Sequence, residues 1–109
     1  MKKQIDIAGR VVGPGHAPYI IAELSANHNG RLETAMRIIE EAAKAGADAL
    51  KLQTYRPDTM TLDCDSEDFQ IHGGLWDGRT LYELYEEAHT PWEWHKPLFE
   101  HARKTGIPI

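Results

Sequence analysis

Cysteine is nearly absent: Cys64 stands alone among 109 residues, so no internal disulfide can form. Single-cysteine usage fits a reducing cytoplasm, which is the expected location. Long apolar runs are missing too; nothing approaches the roughly 20 residues that span a bilayer. The start, Met1-Lys2-Lys3-Gln4-Ile5-Asp6, lacks the apolar centre of a secretion signal. Positive charge is in deficit, with 12 basic against 17 acidic residues and a formal charge of -5. That balance argues against nucleic acid and against an anionic membrane surface as partners. A small anionic ligand stays open, because one or two placed cations suffice for it. There is no internal repeat and no low-complexity tract, and the length fits one domain.

Two short apolar runs carry polar groups where a buried strand should have none. The first is Tyr19-Ile20-Ile21-Ala22-Glu23-Leu24, leading into Ser25-Ala26-Asn27-His28-Asn29-Gly30. The second is Ala49-Leu50-Lys51-Leu52-Gln53-Thr54. Between them Leu32, Ala35, Met36, Ile39, Ala42 and Ala43 recur at helical spacing, with Asn29 as expected N-cap and Gly46 as left-handed C-cap. Strand, helix, strand in this order predicts a βαβ unit with parallel strands. Side chains alternate faces along a strand, so Lys51 and Gln53 share a face, as do Ile21 and Glu23. Glu23 and Gln53 fall in the C-terminal halves of their runs and Lys51 at the middle of its own, towards the end where α/β folds place their chemistry.

Before the first run, Gln4 to Val12 reads as a small hairpin turning at Ala8-Gly9, and Gly13-Pro14-Gly15-His16-Ala17-Pro18 as a linker. From Tyr55 to Arg79 the chain is long, polar and irregular, a length often tied to function. Two capping boxes follow. Thr80-Leu81-Tyr82-Glu83 opens a short helix and Thr90-Pro91-Trp92-Glu93 a longer one, with Trp94, Leu98, Phe99 and Ala102 as its expected buried face. Trp92 is likewise expected to pack in the core. Ile107-Pro108-Ile109 reads as entry to a third strand. His89, His95 and His101 lie six apart, which turns each about 240° from the last on a helix, so no metal site is expected from them.

The motifs Ile21-Ala22-Glu23-Leu24-Ser25-Ala26-Asn27-His28-Asn29-Gly30 and Ala45-Gly46-Ala47-Asp48-Ala49-Leu50-Lys51-Leu52-Gln53-Thr54 resemble the opening of the sialic acid synthase family. Gly74-Leu75-Trp76-Asp77-Gly78-Arg79-Thr80-Leu81-Tyr82 and Glu87-Ala88-His89-Thr90-Pro91-Trp92-Glu93-Trp94-His95 are similar to its pseudaminic acid synthase branch. The resemblance implies an α/β fold: the N-terminal portion of a (β/α)₈ barrel preceded by a β-hairpin. Residues 1–109 then make up about two and a half βα units out of eight. It implies condensation of phosphoenolpyruvate with an acetamido-sugar aldehyde to a nine-carbon 2-keto acid, with release of phosphate. It also implies a divalent metal, manganese or magnesium, whose histidine ligands lie beyond Ile109, a homodimer, and a C-terminal antifreeze-like domain outside this chain.

Carried over by position, Lys51 matches a lysine that contacts phosphoenolpyruvate, while Glu23 and Gln53 match residues lining the acceptor-sugar site. Glu23 is the candidate catalytic carboxylate. Asn27 and His28, in the first βα loop, are candidate substrate contacts, as are Trp76 and Arg79 in the long loop. Residue chemistry is compatible with these roles but does not choose them. A strand lysine is a sensible point charge for a phosphate and a carboxylate, and a carboxylate can hydrogen-bond a hydroxyl or orient a water. Lys51 and Glu23 read equally well as a structural ion pair. Asn27, Asn29 and His28 read equally as a capped, solvated turn, and Trp76 and Arg79 as loop packing. Two other functions stay open: a truncated, self-associating product without catalysis, and a phosphate-binding barrel aldolase that would also use a strand lysine.

Overall fold

The computed structural model describes residues 3–109; Met1 and Lys2, part of the polar start, lie outside the described residues. The chain opens as a hairpin, β1 (Ile5–Ile7) antiparallel to β2 (Arg10–Val12), with Ile5 opposite Val12. Its two turn residues, Ala8 and Gly9, both have positive φ, 50° and 85°, the turn whose twist matches the flanking strands. The Gly9 N–H donates to Asp6 Oδ1 at 2.9 Å and closes it.

β3 (Ile21–Glu23) and β4 (Ala49–Lys51) pair in parallel, with Glu23 opposite Lys51. The crossover is α1 (Leu32–Lys44), which ends as expected, with Gly46 at φ 86° taking the left-handed position past Ala45. Its start differs from expectation. Arg31, not Asn29, stands at the N-cap, and no side chain caps it. Asn29 sits at φ 51° in the preceding turn, a conformation that asparagine tolerates better than most residues.

The long segment after β4 contains α2 (Pro57–Met60), a 3-10 turn at Glu67–Phe69 and a bridge between Gln70 and Thr80. α3 (Leu81–Ala88) starts on a complete capping box: Thr80 accepts the Glu83 N–H and Glu83 accepts the Thr80 N–H. The second box does not form. Pro91 leads into a 3-10 turn, Trp92–Trp94, and α4 (His95–Thr105) begins only after it. Thr90 is buried, and among the described residues its hydroxyl finds no partner.

Leu24 and Leu50 point from the sheet onto Ala35 and Ile39 of α1 and Leu98 and Ala102 of α4, with Ile107 closing the cluster. Burying each such leucine or isoleucine contributes about 1.5–3 kcal/mol. Only part of the expected α4 face is inside: Phe99 is 43% exposed and Trp92 70%. Both instead flank His95, with ring centroids 6.2 and 5.2 Å from it. Ile107 to Ile109 do not form a strand, yet the Leu50 N–H donates to Pro108 O at 2.9 Å, which sets this segment beside β4.

One face of the β3–β4 pair is thus covered by α1 and α4, and the opposite face is open. The molecule is also extended. Its radius of gyration is 17.0 Å, against about 13 Å for a rounded domain of this length.

Candidate active site

Alternation along β3 and β4 decides what the open face carries. Leu24 and Leu50 point to the helices, so Glu23 and Lys51 point away from them. Lys51 Nζ lies 2.6 Å from Glu23 Oε1, with about half of each side chain exposed. A pair so open to water contributes about 0–1 kcal/mol to folding. Stability therefore gives little reason for charges here. Directly beyond it the ladder continues, the Leu24 N–H donating to Lys51 O at 3.1 Å. Gln53 follows two residues after Lys51, and its carbonyl accepts the Thr90 N–H at 2.8 Å.

The loop from Ser25 to Gly30 leaves the end of β3. Asn27 is exposed, and both its backbone N–H and its Nδ2 donate to Leu24 O, each at 3.1 Å. His28 is not solvated, contrary to the turn reading; it is only 1% exposed. Its Nδ1 accepts the Gly30 N–H at 2.9 Å, and its Nε2 lies 3.1 Å from Ala88 O.

Trp76 and Arg79 are brought together, but their partners lie elsewhere. The guanidinium sits 5.5 Å from the Trp76 ring centroid and forms ion pairs with Glu87 and, at 4.0 Å, Glu83 of α3. Their contacts fasten the long loop to α3 rather than to β3 or β4.

Sequence reasoning missed Thr54 and His95. Thr54 Oγ1 is 2.6 Å from His95 Nε2, while His95 Nδ1 lies 3.1 Å from Trp92 O. The carbonyl requires a proton on Nδ1, so Thr54 donates to Nε2 when the ring is neutral. The segment that follows β4 is thereby tied to the start of α4. Its only signal was the hydroxyl closing the Lys51-Leu52-Gln53-Thr54 run. Next to it, burial raises the Tyr55 phenol above its ordinary pKa, and Tyr85, in edge contact at 5.6 Å, adds to the effect.

Among the described residues, no three His, Cys, Asp or Glu side chains gather so as to hold a metal ion. His28, His95 and His101 are each engaged singly, His101 with Glu40 across α1 and α4 at 3.0 Å. The described residues do not make up a divalent-metal site. Among the described residues no helix is long and apolar enough to cross a membrane.

A model of the NeuB family matches residues 38–109. Over 89 residues the chain is 64% identical to a pseudaminic acid synthase of Campylobacter jejuni, a match covering 82% of this chain and 26% of that protein. It is 52% identical over 92 residues to a pseudaminic acid synthase of Helicobacter pylori, covering 84% of this chain and 27% of that one. The crystal structure of an N-acetylneuraminic acid synthetase from Leptospira borgpetersenii superposes with a TM-score of 0.74 at 27% identity. That superposition covers 95% of this chain and 32% of the other. The chain thus spans about a quarter of the length of these synthases.

Proposed function

The chain belongs to the NeuB family, and from that premise we propose that it forms the first βα units of a (β/α)₈ synthase. The reaction joins phosphoenolpyruvate to an acetamido-sugar aldehyde. C3 of the enol phosphate bonds to the aldehyde carbon, water adds at C2, and phosphate leaves, giving a nine-carbon 2-keto acid. The remaining strands, the divalent metal's ligands and a second protomer belong to parts of the synthase outside residues 3–109.

The observation that carries this reading is the Lys51–Glu23 contact on the helix-free face of adjoining parallel strands. In a closed barrel that face is the interior, and the C-terminal strand ends form the mouth where substrates bind. Lys51 supplies positive charge to the phosphate or carboxylate of the donor. Glu23 then faces the acceptor, where a carboxylate can take a hydroxyl proton or orient the attacking water. Gln53 and Asn27 border the same mouth. The Arg79 and Trp76 contacts support a part in shaping the loop on α3.

Phosphate release from phosphoenolpyruvate in the purified synthase tests this. Release should require an acetamido-sugar, and Lys51→Ala should raise the KM for phosphoenolpyruvate about tenfold or more, the loss of one hydrogen bond to a charged group. Unchanged saturation by phosphoenolpyruvate would sink the assignment. Borohydride with a keto substrate should leave Lys51 unmodified, since a Schiff-base aldolase alone would be trapped there.

A further inference from the structure

The β3–α1 loop is strained. Ser25 and Asn29 both hold left-handed backbone, φ 51° each, and Gly30 follows at φ 70°. Three successive tight turns run through it, with Asn27 N–H to Leu24 O, Asn29 N–H to Ala26 O and Arg31 N–H to His28 O. Left-handed conformations at residues other than glycine persist only where the surroundings hold them.

His28 bonds this loop to α3. Its ring is buried, edge-on to Trp94 with centroids 5.0 Å apart. Nδ1 accepts from Gly30 inside the loop, and Nε2 reaches Ala88 O, the last residue of α3. A carbonyl can only accept and an amide N–H can only donate, so the ring is the neutral tautomer with its proton on Nε2. Both nitrogens are then spent on backbone, and neither is left for a ligand.

We propose that His28 is a positioning residue for the synthase reaction: it touches neither substrate and clamps the β3–α1 loop to the end of α3, which keeps Asn27, bonded to Leu24 O, at the end of β3. The role in turnover rests on the function proposed above; the clamp itself does not.

Two measurements on the purified synthase separate these. Without substrate, amide hydrogen exchange in His28→Ala should speed up about tenfold at Asn27, Asn29, Gly30 and Arg31 while the last turns of α1 stay protected. His28→Gln, whose amide NH₂ can reach towards Ala88, and His28→Asn, whose oxygen can stand near Nδ1, should each restore part of that protection. They also decide the matter if the alanine variant does not fold. In turnover, the acceptor KM should rise about tenfold in His28→Ala, with partial rescue by Gln or Asn and the pH profile of kcat unchanged in shape. Loop exchange that stays at the wild-type rate in all three variants would overturn the clamp. Loss of one limb of the pH profile in His28→Gln would overturn positioning, because the imidazole itself would then carry a proton. A wild-type protein that releases no phosphate would defeat the proposed function alone, with the exchange data still deciding whether His28 clamps the loop.

Discussion

The Asp48 carboxylate and the Arg10 guanidinium form an ion pair that fastens the N-terminal hairpin to the parallel sheet. Asp48 Oδ2 also accepts the Ile20 N–H at 2.7 Å, and the Arg10 guanidinium reaches Pro18 O and lies 5.6 Å from the Tyr19 ring centroid. The Asp48 side chain is only 15% exposed. Asp48→Ala should therefore cost about 2 kcal/mol, as it leaves a cation and an N–H without their acceptor. Asp48→Asn, which keeps the acceptor for Ile20, should cost less. Urea unfolding midpoints check both; equal losses would mean that the charge is irrelevant.

Two threonines in the same sequence pattern should respond in opposite ways. Thr80 closes a capping box at α3, and Thr80→Ala should lose about 1 kcal/mol. Thr90 buries an unpartnered hydroxyl. Replacing a buried, unsatisfied polar group by an apolar one of the same shape is neutral or stabilising, so Thr90→Val should gain up to about 1 kcal/mol. A loss at Thr90 in thermal or urea unfolding would reveal a partner for that hydroxyl.

Neighbours on α4 should differ sharply. Leu98 is fully buried between α4 and α1, and Leu98→Ala should cost about 2–5 kcal/mol through the cavity it leaves. Phe99 is only partly covered, so Phe99→Ala should cost less, about 1 kcal/mol. Similar losses by calorimetry would place Phe99 against a surface.

Alkali should weaken the fold through Tyr55. Burial favours its neutral phenol and raises its folded pKa. A group with a raised folded pKa lends its full stabilisation below the unfolded value, near pH 10, and loses it as pH climbs through the folded value. Stability should fall above about pH 10, and Tyr55→Phe should flatten that fall. Ultraviolet titration of the phenolates, run beside unfolding at each pH, follows both.

The α/β character, the hairpin, α1 and the Thr80 cap were legible because each rests on local chemistry. A turn pair, a helical period and a hydroxyl three residues from a glutamate act within one or two turns of chain. The Lys51–Glu23 contact was legible as far as face, since alternation along a strand needs no further information. What escaped depended on distant partners. His28 meets Ala88 across 60 residues and His95 meets Thr54 across 41, so nothing near either histidine announces its burial. The second capping box failed for a related reason: the Thr90 N–H is committed to Gln53 O, two residues past β4, and the helix could start only after the following turn.

The extended shape has a hydrodynamic consequence. With principal extents of 48 × 36 × 23 Å, an isolated copy of this chain drags more water and tumbles more slowly than a sphere of equal weight. It should elute early from a gel-filtration column and give broad nuclear resonances. Closing further strands around Glu23 and Lys51 would lower the friction per residue even as the mass grew.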